Sequence, residues 1–202
     1  MIVVVDYRAG NLYNVGNALK HLKAEFTFSG DPGVVAKADK VILPGVGSAR
    51  AAMTSLETQG LCDVIRSLRV PFLGICLGLQ LLFELSEEDD TECLGILPGN
   101  IRRFDSEVTK VPQIGWNQVA WRKKDLLDPF AGPIVSGLPE ASYFYFVHSY
   151  FAPLSDGATI GTTVYGEEYS SAVVSGNFLG FQFHPERSGE VGLELLRRFV
   201  VS

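Results

Sequence analysis

Apolar and polar positions alternate in blocks along the first half of the chain. Continuous apolar runs predict buried strands, and the segments between them place apolar residues at helical spacing. The predicted strands are Ile2 to Asp6, Ala24 to Phe28, Lys40 to Leu43 and Val70 to Ile75. The predicted helices run from Asn11 to about Lys23, from Ser48 to about Arg69 with a break near Gly60, and from Leu77 to about Leu85. Buried strands alternating with helices indicate βαβ units and a mostly parallel sheet covered on both faces.

The second half of the chain is rich in predicted strands. They are Gln118 to Trp121, Tyr143 to Tyr150, Thr159 to Val164, and a hairpin of Ser171 to Val174 with Phe178 to Phe183. Ser188 is the predicted N-cap of a last helix with a regular apolar stripe. The sequence thus predicts an α/β fold with a mostly parallel central sheet and antiparallel additions. A length of 202 residues and 47% hydrophobic content suit a single domain over residues 1–202.

Charge and cysteine content limit the classes of function. A formal net charge of −6 and scattered basic pairs argue against a nucleic-acid-binding surface. The first residues lack a basic start and a cleavage site, and their apolar run is too short for a membrane span. The three cysteines, Cys62, Cys76 and Cys93, form no Cys-x-x-Cys pair, so we expect neither disulfides nor a zinc site. We therefore expect a cytoplasmic protein that contacts neither membranes nor nucleic acid.

Cys76 is the candidate nucleophile. It stands between a predicted buried strand and a predicted helix, with Gly74 and Gly78 two residues to either side. A nucleophile on such a strand-to-helix elbow sits at the carboxyl edge of the sheet, where ligands bind in open α/β folds. The glycines let neighbouring backbone pass closely, and the positive end of the helix favours thiolate over thiol. We expect an exposed, activated thiol here, whereas Cys62 and Cys93 are by default small buried apolar residues.

Backbone N–H groups near Cys76 are candidates for an oxyanion hole. The N–H of Leu77 falls in the first helical turn and has no acceptor within the helix. A second donor is expected from the end of another strand at the same sheet edge, where Val46 and Gly47 follow Pro44 and Gly45. An ordinary glycine-rich turn is the alternative interpretation of that segment.

A thiolate mechanism also needs a proton carrier, and the chain has three histidines. His21 lies between lysines on a predicted helix, which indicates a surface residue, and a tyrosine stands two positions after His148. His184 is followed two positions later by Glu186. In an extended segment these two side chains project to the same side, so the carboxylate can orient the imidazole. The sequence therefore predicts a triad of Cys76, His184 and Glu186.

Two motifs in this order, Gly74-Ile75-Cys76-Leu77-Gly78-Leu79-Gln80 and His184-Pro185-Glu186, resemble those of the class I (triad) glutamine amidotransferases. The resemblance implies a flavodoxin-like α/β fold and a glutaminase activity without metal or cofactor. It also implies that Cys76 is the nucleophile, His184 the acid and base, and Glu186 the residue that orients His184.

Further segments narrow the resemblance to the glutaminase subunits of imidazole glycerol phosphate synthase. These segments are Asp6-Tyr7 with Gly10-Asn11-Leu12, Leu43 to Gly47, Val111 to Asn117, and Tyr145 to Tyr150. In that group the glutaminase forms a heterodimer with a (β/α)8-barrel cyclase, and ammonia passes through the barrel to the cyclase reaction. The positions that match glutamine-binding residues are Gly47, Gln80, Glu88, Ser149 and Tyr150. The positions that match the cyclase-facing surface are Trp116, Asn117 and Arg187.

Three residues depart from the pattern of that group. Arg8 stands where glycine is commoner, Gln113 where histidine is frequent, and Arg187 where lysine usually follows Pro-Glu. None belongs to the triad. The departures bear only on the contact between subunits, because arginine and lysine do not pair interchangeably.

Two other functions stay open at this point. One is the glutaminase of another amidotransferase, such as that of pyridoxal phosphate or aminodeoxychorismate synthesis, which the Gly-Trp-Asn and His-Ser-Tyr segments disfavour. The other is a non-catalytic regulatory subunit that binds a partner, which the intact triad disfavours.

Overall fold

A computed structural model describes residues 1–8, 11–122, 128–139 and 141–202; Gly10, from one of the motifs above, lies outside these ranges. Its strands are β1 Ile2–Val5, β2 Phe26–Ser29, β3 Lys40–Gly45, β4 Phe72–Cys76, β5 Leu85–Ser86, β6 Thr91–Glu92, β7 Asn100–Arg103, β8 Gln113–Trp121, β9 Ala141–His148, β10 Tyr150–Phe151, β11 Thr159–Tyr165, β12 Glu167–Ser175 and β13 Phe178–Phe181. Its helices are α1 Leu12–His21, α2 Pro32–Val35, α3 Ala49–Thr58, α4 Leu61–Ser67, α5 Leu77–Gln80, α6 Ala131–Val135 and α7 Gly189–Val201. Within the described ranges, no helix is long and apolar enough to cross a membrane.

Nine strands form one mixed sheet in the order β2-β1-β3-β4-β13-β12-β11-β8-β9. Neighbours from β2 to β13 are parallel, and neighbours from β13 to β9 are antiparallel. The predicted α/β sheet, parallel at one end with antiparallel additions, is therefore confirmed. The predicted β12–β13 hairpin is also confirmed, with Ser175 opposite Phe178. A smaller sheet has the order β10-β7-β5-β6.

Helices cover both faces of the parallel part of the sheet. Along β1, Val3 and Val5 pack into one apolar cluster, while Ile2 and Val4 pack into another. This division follows from the alternation of side chains across a strand. Helices α3 and α4 contribute to the first cluster, and α1 and α7 contribute to the second. The carboxyl edge of the sheet is left for the loops that follow the strands.

Local signals account for the boundaries of the first helices. Asn11 caps α1, because its side chain accepts a hydrogen bond from the Asn14 N–H, and Ser48 caps α3 in the same way through Ala51. Gly60 separates α3 from α4 with a φ of +68°, as the predicted break required. The helix α2 and the helix α6 were not expected from the sequence pattern.

The predicted helix after Cys76 is much shorter than expected. It ends at Gln80 instead of about Leu85. The carbonyl groups of Leu81, Leu82 and Phe83 accept hydrogen bonds from the N–H groups of residues 94–97 instead of from a continuing helix. All three side chains are buried. A long-range contact that the local pattern does not contain therefore ends α5 after one turn.

Ser188 precedes α7 as predicted, but its hydroxyl does not cap the helix. It donates to the carbonyl oxygen of His184 (2.6 Å) and accepts from the N–H of Tyr145 (3.0 Å). The His184 N–H in turn donates to the Tyr145 carbonyl oxygen at 2.9 Å. The two bonds to Tyr145 fix the segment after β13 against β9. In addition, β8 begins at Gln113, five residues before the predicted start of that strand.

Three glycines allow the close backbone contact at the elbow. A Cβ atom on Gly78 would lie 1.9 Å from the carbonyl oxygen of Leu43, and one on Gly74 would lie 2.5 Å from that of Gly78. A Cβ atom on Gly45 would lie 2.6 Å from Cβ of Leu77. The steric purpose predicted for Gly74 and Gly78 is confirmed. The end of β3 and the first turn of α5 are in direct contact because these positions lack side chains.

We expect Gly78→Ala to lower the free energy of unfolding by about 1–3 kcal/mol or more, because the added methyl group forces β3 and α5 apart. Urea denaturation measures this difference. Gly157→Ala is the matched control, since a Cβ atom there meets no atom within 4 Å. Equal stability of the two variants would contradict the importance of this contact.

Candidate active site

Cys76 ends β4 in a strained conformation. Its φ of +56° and ψ of −110° are rare for a residue other than glycine. The parallel pairing of β3 with β4 places Gly45 beside Cys76, so the segment that contains Val46 and Gly47 begins next to the sulfur. Such strain is characteristic of functional sites, where the surrounding structure holds a side chain in a required direction.

The Cys76 side chain is buried, with 6% exposure, so the expectation of an exposed thiol is wrong. Strand β9 covers it: the thiol donates towards the Val147 carbonyl oxygen at an Sγ···O distance of 3.8 Å. The amide nitrogen of Gln182, the residue directly after β13, lies 3.7 Å from Sγ. Because α5 has only one turn, the positive electrostatic potential of its dipole at the sulfur is also weaker than that of a long helix.

His184 and Glu186 form a hydrogen-bonded pair. His184 Nδ1 lies 2.8 Å from Glu186 Oε1, and the two side chains are 3% and 0% exposed. The link between them is a 3-10 turn over Pro185–Arg187 and not the extended segment assumed from the sequence. The carboxylate reaches the ring in spite of this difference. His184 Nε2 and Glu186 Oε2 have no hydrogen-bond partner among the described residues.

The environment of His184 favours the charged imidazolium. Burial alone lowers the pKa of this histidine, but the negative sulfur of Cys76 and the Glu186 carboxylate act in the opposite direction. The net effect raises the pKa of His184 above its usual value. Negative charge on the Cys76 sulfur and on the Glu186 carboxylate therefore stabilises the imidazolium in the buried site.

His148 lies in the same site as His184 but is uncharged. Burial lowers its pKa to about 4, so it is neutral at physiological pH. Its Nδ1 lies 2.7 Å from the Tyr150 carbonyl oxygen, which requires the proton to be on Nδ1. The two histidines of the site therefore differ in charge, as their different neighbours dictate.

A cavity of about 320 Å³ opens beside Cys76, which is within the range of small-molecule sites. Nine of its lining residues are among those predicted from the sequence: Val46, Gly47, Cys76, Leu77, Gln80, Glu88, Ser149, Tyr150 and His184. The other three lining residues, Pro112, Val147 and His148, were not assigned to the site. Glu186 lies behind His184 and does not line this cavity. The roles of these residues remain predictions, although their positions converge.

Glu88 supplies a negative charge to the cavity. One carboxylate oxygen accepts the Ala49 N–H at the start of α3 at 2.7 Å. Burial raises the pKa of Glu88, and this hydrogen bond lowers it in part. The carboxylate is thus fixed in direction at the N-terminus of a helix, where negative charge is favoured.

The three residues predicted to face a partner lie outside the cavity. Trp116 is 56% exposed and lies opposite Tyr145 in the pairing of β8 with β9. The Arg187 guanidinium stacks over the Tyr145 ring, 4.2 Å from its centre. Asn117 points to the opposite face of β8 and donates to the Val164 carbonyl oxygen at 3.0 Å. Trp116, Tyr145 and Arg187 thus form one surface cluster, which Asn117 does not share.

The chain is similar to proteins of known family over nearly its whole length. The family model for class I glutamine amidotransferases matches residues 3–202. Imidazole glycerol phosphate synthase subunit HisH 2 of Legionella pneumophila (strain Paris) is 46% identical over 99% of this chain and 97% of its own length. Imidazole glycerol phosphate synthase subunit HisH of Dehalococcoides mccartyi (strain ATCC BAA-2266 / KCTC 15142 / 195) is 44% identical over 98% and 96%.

The fold is likewise similar to solved structures. The crystal structure of a glutamine amidotransferase matches 100% of this chain and 98% of its own with a TM-score of 0.75 and 19% identity. That likeness confirms the predicted α/β amidotransferase fold. Together with the family match over residues 3–202, it shows that the chain belongs to the class I glutamine amidotransferase family.

Proposed function

We propose that this chain is the glutaminase subunit of an imidazole glycerol phosphate synthase. It hydrolyses glutamine to glutamate and ammonia in the cytoplasm, as a single domain over residues 1–202. One observation carries the proposal: Cys76 and His184 line one cavity, and Glu186 holds the far side of the His184 ring. The near full-length relatives named as HisH subunits support this synthase over another amidotransferase.

The proposed reaction begins with the sulfur of Cys76. The thiolate attacks the side-chain amide carbon of glutamine, and the carbonyl oxygen becomes an oxyanion. The N–H of Leu77 and a peptide N–H at Val46 or Gly47 stabilise this oxyanion. His184 gives its Nε2 proton to the amine, the C–N bond breaks, and ammonia leaves a γ-glutamyl thioester.

His184 then acts as a base in the second half of the reaction. Its neutral Nε2 removes a proton from water, which attacks the thioester carbon. The C–S bond breaks, glutamate leaves, and the thiolate and imidazolium are restored. Glu186 keeps Nδ1 protonated throughout, so that Nε2 always faces the reacting atoms.

The cavity supplies groups suited to the rest of the substrate. The Glu88 carboxylate, fixed by Ala49, is placed to accept the α-ammonium group of glutamine. Gln80, Ser149, Tyr150 and Gly47 line the same cavity and complete the proposed substrate-binding set.

The proposed partner is a (β/α)8-barrel cyclase that uses the ammonia to make imidazole glycerol phosphate and an aminoimidazole carboxamide ribotide. The relatives are named as subunits, which supports an assembly with a second chain. The surface cluster of Trp116, Tyr145 and Arg187 is the proposed centre of contact, and Asn117, on the opposite face of β8, lies outside it. Exposed aromatic and arginine side chains are enriched at the centres of protein interfaces.

Cys76→Ala is expected to abolish glutamine hydrolysis by the complex, because no other cysteine of the described residues lines the cavity. Ammonia-dependent synthesis by the same complex should be unchanged, since the cyclase accepts free ammonia. Both rates are measured with the cyclase and its nucleotide substrate. Cys62→Ala removes another buried thiol and should retain glutaminase activity; glutamine turnover by Cys76→Ala would refute the assignment.

Glu186→Gln is expected to lower kcat by about 10²–10⁴-fold with little change in KM, because it disturbs the proton carrier and not the substrate cavity. The carboxylate raises the pKa of His184, so its loss lowers that pKa. The imidazolium then loses its proton at lower pH. The alkaline limb of the kcat/KM profile should therefore move to lower pH, whereas exposed Glu190→Gln should leave it in place.

The free chain is expected to hydrolyse glutamine at least about 10²-fold more slowly than the complex, the cost of one missing oxyanion donor. Gly47 has a φ of +91°, and the Val46 and Gly47 peptides are exposed, so their orientation is open to control by a partner. Ammonia release measured with and without the cyclase and its ligand checks this. Equal rates would rule out such gating.

A further inference from the structure

Gln182 is a fully buried polar residue beside the nucleophile. Its exposure is 0%, and it stands between Phe181 and Phe183 at the end of β13. Its amide nitrogen lies 3.7 Å from Sγ of Cys76. Gln182 does not line the cavity, so it is not placed to touch glutamine. A buried amide requires partners, and here one of them is the reacting sulfur.

The neighbours of Gln182 determine which end of its amide faces the sulfur. The Tyr150 carbonyl oxygen can only accept a hydrogen bond, so the Gln80 side-chain atom 2.8 Å from it must be nitrogen. The same nitrogen lies 3.0 Å from the side chain of Gln182, where only an oxygen can accept its second proton. The remaining end of the Gln182 amide is therefore the NH2 group, and it points at Cys76.

The Tyr150 carbonyl that sets this direction is itself fixed. It also accepts the Nδ1 proton of neutral His148 at 2.7 Å. On the other side of that ring, Nε2 lies 3.3 Å from the Tyr169 hydroxyl, which donates to Gln113 at 2.9 Å. Buried polar groups thus lie one after another from the start of β8 to the sulfur, although the Tyr169 hydroxyl gives its one proton to Gln113 and so only contacts His148 Nε2.

Two polar contacts of the sulfur favour opposite protonation states. The Val147 carbonyl oxygen can accept the thiol proton and repels a thiolate. The Gln182 N–H donates to the sulfur and favours the thiolate. The other titratable groups around the sulfur are His184 with Glu186 behind it, Tyr7, Tyr169, and Glu88, His148 and Tyr150 in the cavity.

We propose that Gln182 is a positioning residue of the glutaminase reaction: its amide, oriented by Gln80 and the Tyr150 carbonyl, holds the Cys76 sulfur towards the cavity and stabilises the attacking thiolate. This deepens the proposed function and rests on it for its catalytic meaning. The hydrogen bond itself is a property of the free chain, so it can be tested without glutamine or a partner.

The test is the pH dependence of iodoacetamide alkylation at Cys76 in the free chain, quantified by mass spectrometry of the Cys76 peptide. Gln182→Met keeps the length of the side chain and removes the donor. The midpoint of alkylation should move up by about one pH unit, equivalent to about 1.4 kcal/mol. The matched control is Gln113→Met, which also replaces a buried amide and leaves Tyr169 with His148 as its acceptor. Its midpoint should equal that of the unmodified chain.

A second variant keeps the proposal falsifiable if Gln182→Met does not fold. Gln182→Leu is apolar, as suits a fully buried position, and presents no donor to the sulfur. Its midpoint should rise by about as much as that of Gln182→Met. An unchanged midpoint in either Gln182 variant, or an equal rise in Gln113→Met, overturns the proposal.

Kinetics of the complex separate this inference from the proposed function. With the cyclase present, Gln182→Met should lower kcat for glutamine about 10-fold at neutral pH and leave KM unchanged. If the unmodified chain hydrolyses glutamine but Gln182→Met has the same kcat, the inference fails and the proposed function stands. If the unmodified chain shows no hydrolysis with any cyclase, the proposed function fails. A shifted alkylation midpoint in Gln182→Met would then show that Gln182 stabilises the thiolate of Cys76 without a role in glutamine hydrolysis.

Discussion

The contact between the end of β3 and the first turn of α5 determines the geometry of the whole site. Backbone meets backbone there because Gly45 and Gly78 have no side chains, and Gly74 allows the same close approach between β4 and α5. The contact forces the chain to turn sharply at Cys76, which accounts for the positive φ of that residue. It also brings the segment that contains Val46 and Gly47 to the same sheet edge. The relative position of the sulfur and the candidate oxyanion donors is therefore a property of the backbone.

The antiparallel half of the sheet brings His184 and Val147 to Cys76, which ends a strand of the parallel half. Strand β13 pairs with β4 in parallel, so the chain leaves β13 at the same edge at which Cys76 leaves β4. His184 follows there, and its backbone is bonded to Tyr145 on β9. Strand β9 also brings Val147 over the sulfur. The site thus depends on contacts between residues more than 70 positions apart, and neither half of the chain contains it alone.

The sequence predicted those features that have a local cause. Alternating apolar runs identified the strands of the parallel sheet, and Asn11 and Ser48 marked the starts of two helices correctly. The wrong predictions have long-range causes. Helix α5 ends after one turn because residues 94–97 take the carbonyl groups it would need, and Cys76 is buried because β9 lies over it. The sequence does contain a signal for the role of Gln182. It is a single amide between two phenylalanines at the end of a buried strand, close to the candidate base.

The different charges of His148 and His184 follow from the same long-range contacts. Both rings are buried in one cavity, and burial lowers the pKa of each. His184 faces a negative sulfur on one side and a carboxylate on the other, which outweighs burial and favours the imidazolium. His148 faces a backbone carbonyl and a tyrosine hydroxyl, neither of which carries a charge. One histidine is therefore available to carry a proton, while the other is a fixed donor whose bond to Tyr150 helps to orient the amides that reach the sulfur.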